Sequence, residues 1–237
     1  KDYALIFDVK EEEVALSHEE WKQNPNKFKI LDSDLYLRHL VKPNGLVLPH
    51  HISGSLFLDG LYNAERLILP KSIGDTLVLG GLSTVEGVVL PQKIGNLDLS
   101  GIISPKGLIL PRHIDGNLFL DYLSSTDGLV LPQSVGGNLF LDNLTSAEGL
   151  VLPQSVGGYL DIHNLDSAES LVLPQNIGGS LNLSGLTSAN GLVLPYGFNL
   201  NKLICPSYIK NEILQNPDKY FRKPPGEEEN ISIHHKR

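Results

Sequence analysis

Close copies of the segment Gly149-Leu-Val-Leu-Pro-Gln-Ser-Val-Gly-Gly-Tyr-Leu-Asp-Ile162 follow one another along most of the chain, and this repetition indicates the fold. A proline after an apolar triplet of the Leu-x-Leu type marks each copy, at Pro49, Pro70, Pro91, Pro111, Pro132, Pro153, Pro174 and Pro195. Successive prolines are 21 residues apart, except for one step of 20. A constant short period indicates a solenoid in which each repeat forms one coil and covers its neighbour.

Each coil has another apolar triplet, which precedes the one before the proline and is therefore called the first triplet. The first triplets keep the same period, at residues 35–37, 56–58, 77–79, 97–99, 118–120, 139–141, 160–162 and 181–183, and the triplets before the prolines are the second. Alternation of apolar and other residues is typical of a β-strand with one buried face. We therefore predict two extended segments per coil, one at each triplet, in a mostly β parallel solenoid of about eight 21-residue coils. We expect the glycine pairs at 136–137, 157–158 and 178–179 to be turn residues with positive φ angles.

Both ends of the repeat array need a cap, because an end coil has no neighbour to cover its apolar edge. Ser17-His18-Glu19-Glu20 is a capping box that predicts a short helix in the first segment. A second helix is predicted from about Ser207, where Ile209, Ile213 and Leu214 would face the last coil. The predicted boundaries are 1–32 for the N-terminal cap, 33–198 for the solenoid, 199–223 for the C-terminal helical cap and 224–237 for a flexible tail.

Composition excludes several classes of function. The formal net charge of -8 would repel a phosphate backbone, so we expect no nucleic acid partner. The longest apolar runs are far shorter than the ~20 residues of a membrane-spanning helix. Cys205 is the one cysteine, so an intrachain disulfide and a zinc site built on cysteines are impossible, and folding in a reducing compartment is favoured.

The repeats from Leu35 to Phe198 resemble bacterial leucine-rich-repeat proteins, especially secreted effectors of the YopM, IpaH and EspR kind. The shared features are a short repeat, a Leu-Pro step opposite a Leu-x-Leu strand, and a helical N-terminal cap. The resemblance implies recognition of a protein partner, which in such families is a host protein. It also implies a location in the bacterial cytoplasm before secretion and in the host cytosol afterwards.

The chain departs from that family at the asparagine that bonds the backbone turn, which is replaced by Leu40, Leu61, Leu82, Ile102, Leu123, Leu144, Leu165 and Leu186. A column of hydroxyl residues follows two positions on, at Thr84, Ser104, Ser125, Ser146, Ser167 and Ser188. We expect these hydroxyls to bond neighbouring coils instead. The ligase half of the IpaH type is not recognisable here, because Cys205 precedes Pro206 and Ser207 rather than the Cys-x-Asp context.

The outward residues of the first triplets form the candidate binding surface. One column consists of Tyr36, Phe57, Val78, Asp98, Phe119, Phe140, Asp161 and Asn182, and the next of Arg38, Asp59, Gly80, Ser100, Asp121, Asp142, His163 and Ser184. Aromatic side chains supply contact area, and carboxylates attract and orient a positively charged partner. This pattern therefore predicts a basic, partly apolar partner. The predicted partner-binding residues are Tyr36, Phe57, Asp59, Asp98, Phe119, Asp121, Phe140, Asp142, Asp161 and His163. The alternative is that stacked rings merely stabilise the strand ladder.

The middle residue of the second triplet is β-branched in every coil, at Val47, Ile68, Val89, Ile109, Val130, Val151, Val172 and Val193. It forms either a strand ladder shielded by loops or a dimer face. We therefore expect a monomer or a weak homodimer. The second functional hypothesis is a structural, self-assembling spacer without a discrete partner.

The sequence contains little that indicates a metal site or an active site. One carboxylate per coil, at Glu65, Glu86, Asp127, Glu148 and Glu169, is too few for calcium, and the histidines form no recognisable set of metal ligands. A carbohydrate-cleaving enzyme would need paired acids on adjacent coils, and Asp121 with Asp142 is the one tempting pair. We expect no catalysis, no cofactor and no metal.

Overall fold

The computed structural model describes residues 30–43, 46 and 48–224, which form a parallel β-solenoid of about eight turns with a period of about 21 residues. Every pair of strands is parallel and in register between successive turns, as in the pairing of Leu118 with Leu139 and of Leu139 with Leu160. The predicted fold class is therefore confirmed.

The first ladder follows the first triplets. Its strands are β2 (Leu35–Tyr36), β4 (Leu56–Phe57), β5 (Ser72–Val78), β6 (Lys93–Asp98), β8 (Leu118–Phe119), β10 (Leu139–Phe140), β12 (Leu160–Asp161), β14 (Leu181–Asn182) and β15 (Leu203–Ile204). The 20-residue coil is accommodated between β5 and β6, where the register shifts between Ile73 and Thr76. The deletion therefore falls in the glycine turn and leaves the core positions aligned.

The second ladder does not lie where the sequence predicted it. It is formed by the residues just before the glycines, in β1 (Ile30–Leu31), β3 (His51–Ile52), β5, β6, β7 (His113–Ile114), β9 (Ser134–Val135), β11 (Ser155–Val156) and β13 (Asn176–Ile177). Among the described turns, the triplets before the prolines contain no strand. Their alternation is nevertheless real, since Leu150 and Leu152 are buried and Val151 between them is exposed. Alternating burial shows an extended segment, but ladder bonds need a neighbour in the right orientation.

The core consists of apolar columns that run along the solenoid. Leu56, Leu77 and Leu139, which belong to one column, have no measurable exposure. Of the residues that stand where the resembling family has asparagine, those from Leu61 to Leu186 are buried in the same way, and Leu40 in the first turn is partly buried. A coil taken alone would expose these side chains to water, so the stability of the fold comes from contacts between neighbouring turns.

Asparagines, and not the hydroxyl column, link the turns. Asn96 Oδ1 accepts the backbone N–H of Asn117 at 2.8 Å, and Asn117 Oδ1 accepts that of Asn138 at 2.7 Å. The hydroxyls bond within their own turn instead, as when Ser146 accepts the backbone N–H of Glu148 at 3.2 Å. The expectation that the hydroxyls bond neighbouring coils is therefore wrong, because a Ser side chain reaches the backbone two residues on more readily than the next coil.

The glycine pairs also serve a different purpose from the predicted one. Positive φ angles occur instead in the turn before the second triplet, at Gly87, Gly107, Gly128, Gly149, Gly191, Arg66 and Ser170, and at Gly197. At Gly157, a Cβ atom would lie 2.1 Å from the backbone oxygen of Gly136 in the preceding turn. The pairs are therefore required by the close approach of stacked backbones and not by a left-handed conformation.

A helical cap closes the C-terminal end. Helix α1 (Ser207–Gln215) buries Ile209 and Ile213, whereas Leu214 is exposed, in contrast to its predicted place on the covering face. Helix α2 (Pro217–Tyr220) leads to a parallel bridge in which Leu194 N–H donates to Tyr220 O at 2.7 Å. The N-terminal helix and the tail after residue 224 lie outside the described residues. In the part that the structure describes, no helix has the length and apolar character needed to cross a membrane.

Candidate binding face of the first ladder

The outward column of the first ladder places aromatic rings directly over one another. The rings of Tyr36 and Phe57 are 4.6 Å apart with planes at 4°, and those of Phe119 and Phe140 are 4.9 Å apart at 5°. Each ring covers part of its neighbour, so Phe57, Phe119 and Phe140 are half-buried rather than fully exposed. The alternative role of ladder stabilisation is thus present in the structure, and it leaves ring edges on the surface.

The first aromatic pair is covered by a residue of the same chain. The guanidinium carbon of Arg38 lies 4.4 Å from the centroid of Phe57 and 5.7 Å from that of Tyr36. Arg38 Nε is also 3.9 Å from Asp59 Oδ1. A cation that already contacts two rings and a carboxylate satisfies the chemistry that a basic partner would bring. Tyr36, Phe57 and Asp59 therefore form a self-paired patch.

The second aromatic pair is extended by a third ring. Tyr159 lies 6.0 Å from Phe140, with its plane tilted by 58°. Burial raises the pKa of Tyr159 to about 12, with a further contribution from its hydrogen bond to Asp161. Tyr159 is therefore a neutral hydrogen-bonding phenol at any physiological pH. It lies two residues before Asp161, on the same side of the strand, so strand alternation was the available signal for it.

Two of the predicted acidic residues, Asp98 and Asp161, accept hydrogen bonds from the backbone of their own turns. Asp98 Oδ1 accepts the backbone N–H of Ser100 at 2.9 Å. Asp161 Oδ1 accepts the backbone N–H of His163 at 3.1 Å and lies 2.9 Å from His163 Nδ1. Asp161 is also almost completely buried. These carboxylates hold the backbone after the strand and add negative charge to the face.

Asp121 and Asp142, like Asp59, each have a shielded carboxylate oxygen without a hydrogen-bond partner, and unlike Asp59 they have no arginine beside them in the described part of the chain. Asp121 Oδ2 and Asp142 Oδ1 are shielded from water and bond to no group among the described residues. Burial raises the pKa of both carboxyl groups above the usual value, and the charges of Asp98 and Asp161 raise that of Asp121 further. The charges of Asp161 and Asp121 act in the same direction on the pKa of Asp142. Shielded, mutually repelling carboxylates destabilise the chain until a donor reaches them.

These residues line an open groove of about 520 Å³. Its walls include Asp98, Phe119, Asp121, Asp142 and His163 from the predicted set. A second groove of about 480 Å³, lined by Arg38, Phe57 and Asp59 among others, continues it and shares Asp98 and Ser100. The predicted column is thus one surface with two parts. Around Asp121 and Asp142, carboxylate oxygens on two adjacent turns lack hydrogen-bond partners within the described chain, whereas in the other part Asp59 Oδ1 lacks one but lies 3.9 Å from Arg38 Nε.

Tyr122, Asn143 and Asn164 line the groove but were not predicted. They occupy a column that is glycine in other turns, where a Cβ at Gly81 would lie 2.0 Å from Asp59 O. The signal was present in the sequence, because the glycine is replaced in three successive turns. Asn164 Nδ2 donates to Asp142 O at 2.6 Å, and Asn143 Nδ2 to Tyr122 O at 3.4 Å. These bonds fix the rim of the groove.

The groove also contains a group of potential metal ligands. One ligand atom from each of Asp142, Asp161 and His163 lies within 4.8 Å of the others. The hydrogen bonds between His163 and Asp161 and the 3.8 Å approach of His163 Nδ1 to Asp142 Oδ1 account for this proximity. Asp142, Asp161 and His163 therefore form a charge-paired cluster.

The fold and the face define the class of protein: a β-solenoid repeat protein with an acidic, aromatic groove on its first ladder. Comparison with known proteins adds no family, because no family model, no curated protein and no solved structure matches the chain.

Proposed function

We propose that this chain is a non-enzymatic protein-recognition module that binds a basic, partly apolar segment of a partner in the groove around Asp121 and Asp142. The observation that carries this function is the pair of shielded carboxylate oxygens, Asp121 Oδ2 and Asp142 Oδ1, without hydrogen-bond partners. A lysine or arginine of the partner would supply the missing donors. It would also offset the burial and the charge repulsion that raise the two pKa values.

The neighbouring rings suit the remainder of such a side chain. Phe119 lines the groove and stacks on Phe140, and Tyr159 lies beside Phe140. The aliphatic stem of a lysine or arginine packs well on such apolar surface. The self-paired patch supports the same chemistry, since Arg38 packs over Phe57 and approaches Asp59. We infer that a cation of the partner contacts a ring and a carboxylate of the groove, as Arg38 contacts Phe57 and Asp59.

The wider role rests on the resemblance of the repeat to secreted bacterial leucine-rich-repeat effectors. In that setting the chain would be the partner- or substrate-binding part of an effector, and its partner a host protein. Extended solenoids suit this task because a rigid row of equivalent side chains presents a large surface without an ordering cost.

The test uses peptides of defined chemistry with the complete chain. A library of 12-residue peptides, each with one arginine between apolar residues, is screened by fluorescence anisotropy, and each hit is resynthesised with citrulline for arginine. Citrulline keeps the shape and removes the charge, so we expect binding to fall at least about 10-fold, as for the loss of one charge-assisted contact. The double variant D121N/D142N should show the same loss.

The matched control removes an acid from another column. Asp166 is exposed and does not line the groove, so D166N changes the net charge without touching the proposed site. Hits that lose affinity with D121N/D142N and not with D166N support the assignment. A library with no hits, or hits that ignore both citrulline and D121N/D142N, would remove this groove as the binding site.

A further inference from the structure

A second surface of the solenoid exposes apolar side chains in a continuous row. We call it the valine–isoleucine strip, and its described members are Ile68, Val89, Ile109, Val130, Val151, Val172 and Val193. Six of the seven are between 65% and 78% exposed, and Val193, next to the C-terminal cap, is 39% exposed. Contiguous apolar surface of this kind on a soluble chain usually marks an interaction site.

The fold itself does not require these side chains. The flanking residues of each triplet, such as Leu129 and Leu131, supply the core contacts, while Val130 points away from them. A ladder would have explained β-branched residues by strand propensity, but the described triplets before the prolines contain no strand. The predicted role of these residues in a strand ladder therefore does not explain the strip.

The dimensions of the strip fit a small interface. Seven residues at a rise of ~4.8 Å per turn make it about 30 Å long. With three residues on either side along the chain it is about 20 Å wide, at ~3.3 Å per residue. The resulting area, on the order of 600 Å² per copy, is slightly below the ~800 Å² per partner of a standard interface. Such an area is enough for a weak, reversible dimer.

Two polar columns border the strip and differ in charge. Three residues before it lie Glu65, Glu86, Lys106, Asp127, Glu148 and Glu169, and all are exposed. Three residues after it lie Lys71, Gln92, Arg112, Gln133, Gln154 and Gln175. The second column is joined by side chains, since Arg112 Nε donates to Gln133 Oε1 at 2.7 Å and Gln133 Nε2 to Gln154 Oε1 at 3.2 Å. One border is thus acidic, and the other is amide-rich with two cations.

This asymmetry selects the orientation of a second copy. If two strips meet face to face with the solenoids parallel, a two-fold axis along the rod sets the acidic border of each copy against the amide border of the other. If the solenoids are antiparallel about Val130, Asp127 faces its own copy and Glu86 faces Glu169, which like charges disfavour. Lys106 then faces Glu148, which is the one favourable match on that edge. In the parallel pair the one unfavourable match is Lys106 with Arg112, and Glu86 and Asp127 lie one turn to either side of Lys106.

We propose that the chain forms a parallel, in-register homodimer through the valine–isoleucine strip. Equal spacing of identical β-branched side chains lets two such rows pack into a dry contact, as in paired sheets of stacked strands. The pair is closed, because each copy has one strip and the two-fold axis uses both. The acidic groove involves other residues of each turn and is left free in the dimer.

The first test measures mass against concentration by sedimentation velocity with the complete chain, from about 1 to about 200 µM. We expect a dimer with a Kd in the micromolar range, as for a small interface. The variant V130K/V151K places two charges in the strip and should raise the dimer Kd at least about 100-fold. The control S83K/T145K adds the same charge at two exposed positions of another column and should leave the Kd unchanged.

The second test measures orientation with spin labels on single cysteines at Gln92, Gln133 or Gln175, each in the C205S background. These residues lie on the turns of Val89, Val130 and Val172, at equal spacing on either side of the centre of the strip. A parallel dimer gives three similar distances. An antiparallel dimer separates the outer labels by about 19 Å more along the rod, for four turns of ~4.8 Å.

Three outcomes would overturn the parallel dimer. They are a wild-type chain that is monomeric at about 200 µM, a dimer that survives V130K/V151K, and outer distances longer than the central one. Peptide binding in the groove is measured on separate variants, so failure of either proposal leaves the other to its own test.

Discussion

The ring of Phe119 lies 4.9 Å from the ring of Phe140, almost parallel to it, across one turn of the solenoid. Strand pairing sets this relationship, because Phe119 and Phe140 are partners in the register of β8 and β10. The pair therefore has two roles: it stabilises the ladder, and Phe119 lines the groove that contains Asp121 and Asp142.

We expect F119A and F140A each to lower the free energy of unfolding by about 1 to 2 kcal/mol, because the rings are half-buried and the loss is smaller than in a core. A double-mutant cycle should give a coupling of about 0.5 to 1.5 kcal/mol for the stacked pair. Urea unfolding followed by circular dichroism measures all four chains. Strictly additive effects would contradict a contribution of the stack to stability.

Removing the charge of Asp121 or Asp142 should stabilise the chain. Burial and neighbouring charges raise both pKa values, so the ionised forms are unfavourable in the folded state at neutral pH. We expect D121N and D142N each to raise the free energy of unfolding at pH 7 by a few tenths to about 1 kcal/mol, allowing for solvent screening. D166N, at an exposed site, should change it little. A loss of stability in both groove variants would contradict this electrostatic description.

The same shifts predict how stability and binding depend on pH. A carboxyl group with a raised folded pKa binds its proton more readily in the folded state, so Asp121 and Asp142 favour folding most below the usual value of 3.8. That contribution is lost as the pH rises through the folded pKa values. Attraction for a basic peptide changes in the opposite direction and appears as the pH rises through the same window. Carboxyl chemical shifts in an NMR titration should locate both midpoints above 3.8.

Gly157 and Gly128 should respond differently to alanine. A Cβ at Gly157 would lie 2.1 Å from Gly136 O, so G157A forces two turns apart and should cost about 3 kcal/mol or more. Gly128 has a φ of 77° with open space around its Cβ position, and Arg66 and Ser170 occupy the equivalent position in other turns. G128A should cost about 1 kcal/mol. Equal losses in thermal or urea unfolding would contradict the distinction between close approach and left-handed backbone.

Much of the architecture could be predicted because the period is so regular. Leu118 and Leu139 occupy equivalent places in the repeat, so stacking in register was the only way to bury both. The second ladder was misplaced because alternation at Val151 shows an extended segment without showing which neighbour it bonds. Leu214 was misplaced for a related reason, since the short helix α1 leaves several orientations open to a sequence pattern.

The candidate site was predicted in part. Asp121 and Asp142 were placed side by side by their position in the repeat, but their unpaired oxygens depend on the exact surroundings of each carboxylate. Asp98 and Asp161 were equivalent to aromatic positions in the sequence, and only the structure shows them bonded to their own turns. Arg38 covers the first aromatic pair because its long side chain folds back over Phe57, which no repeat pattern specifies.

By itself, the sequence determined that about eight coils stack with equivalent residues in columns, because each coil has an apolar face that only an identical neighbour covers. The tertiary structure alone decided which segment carries the second ladder, which rings and acids are already paired within the chain, and that the valine–isoleucine strip is exposed. The physical reason is that a repeat specifies the direction of each side chain within its coil, whereas pairing and burial depend on distances between side chains of different turns.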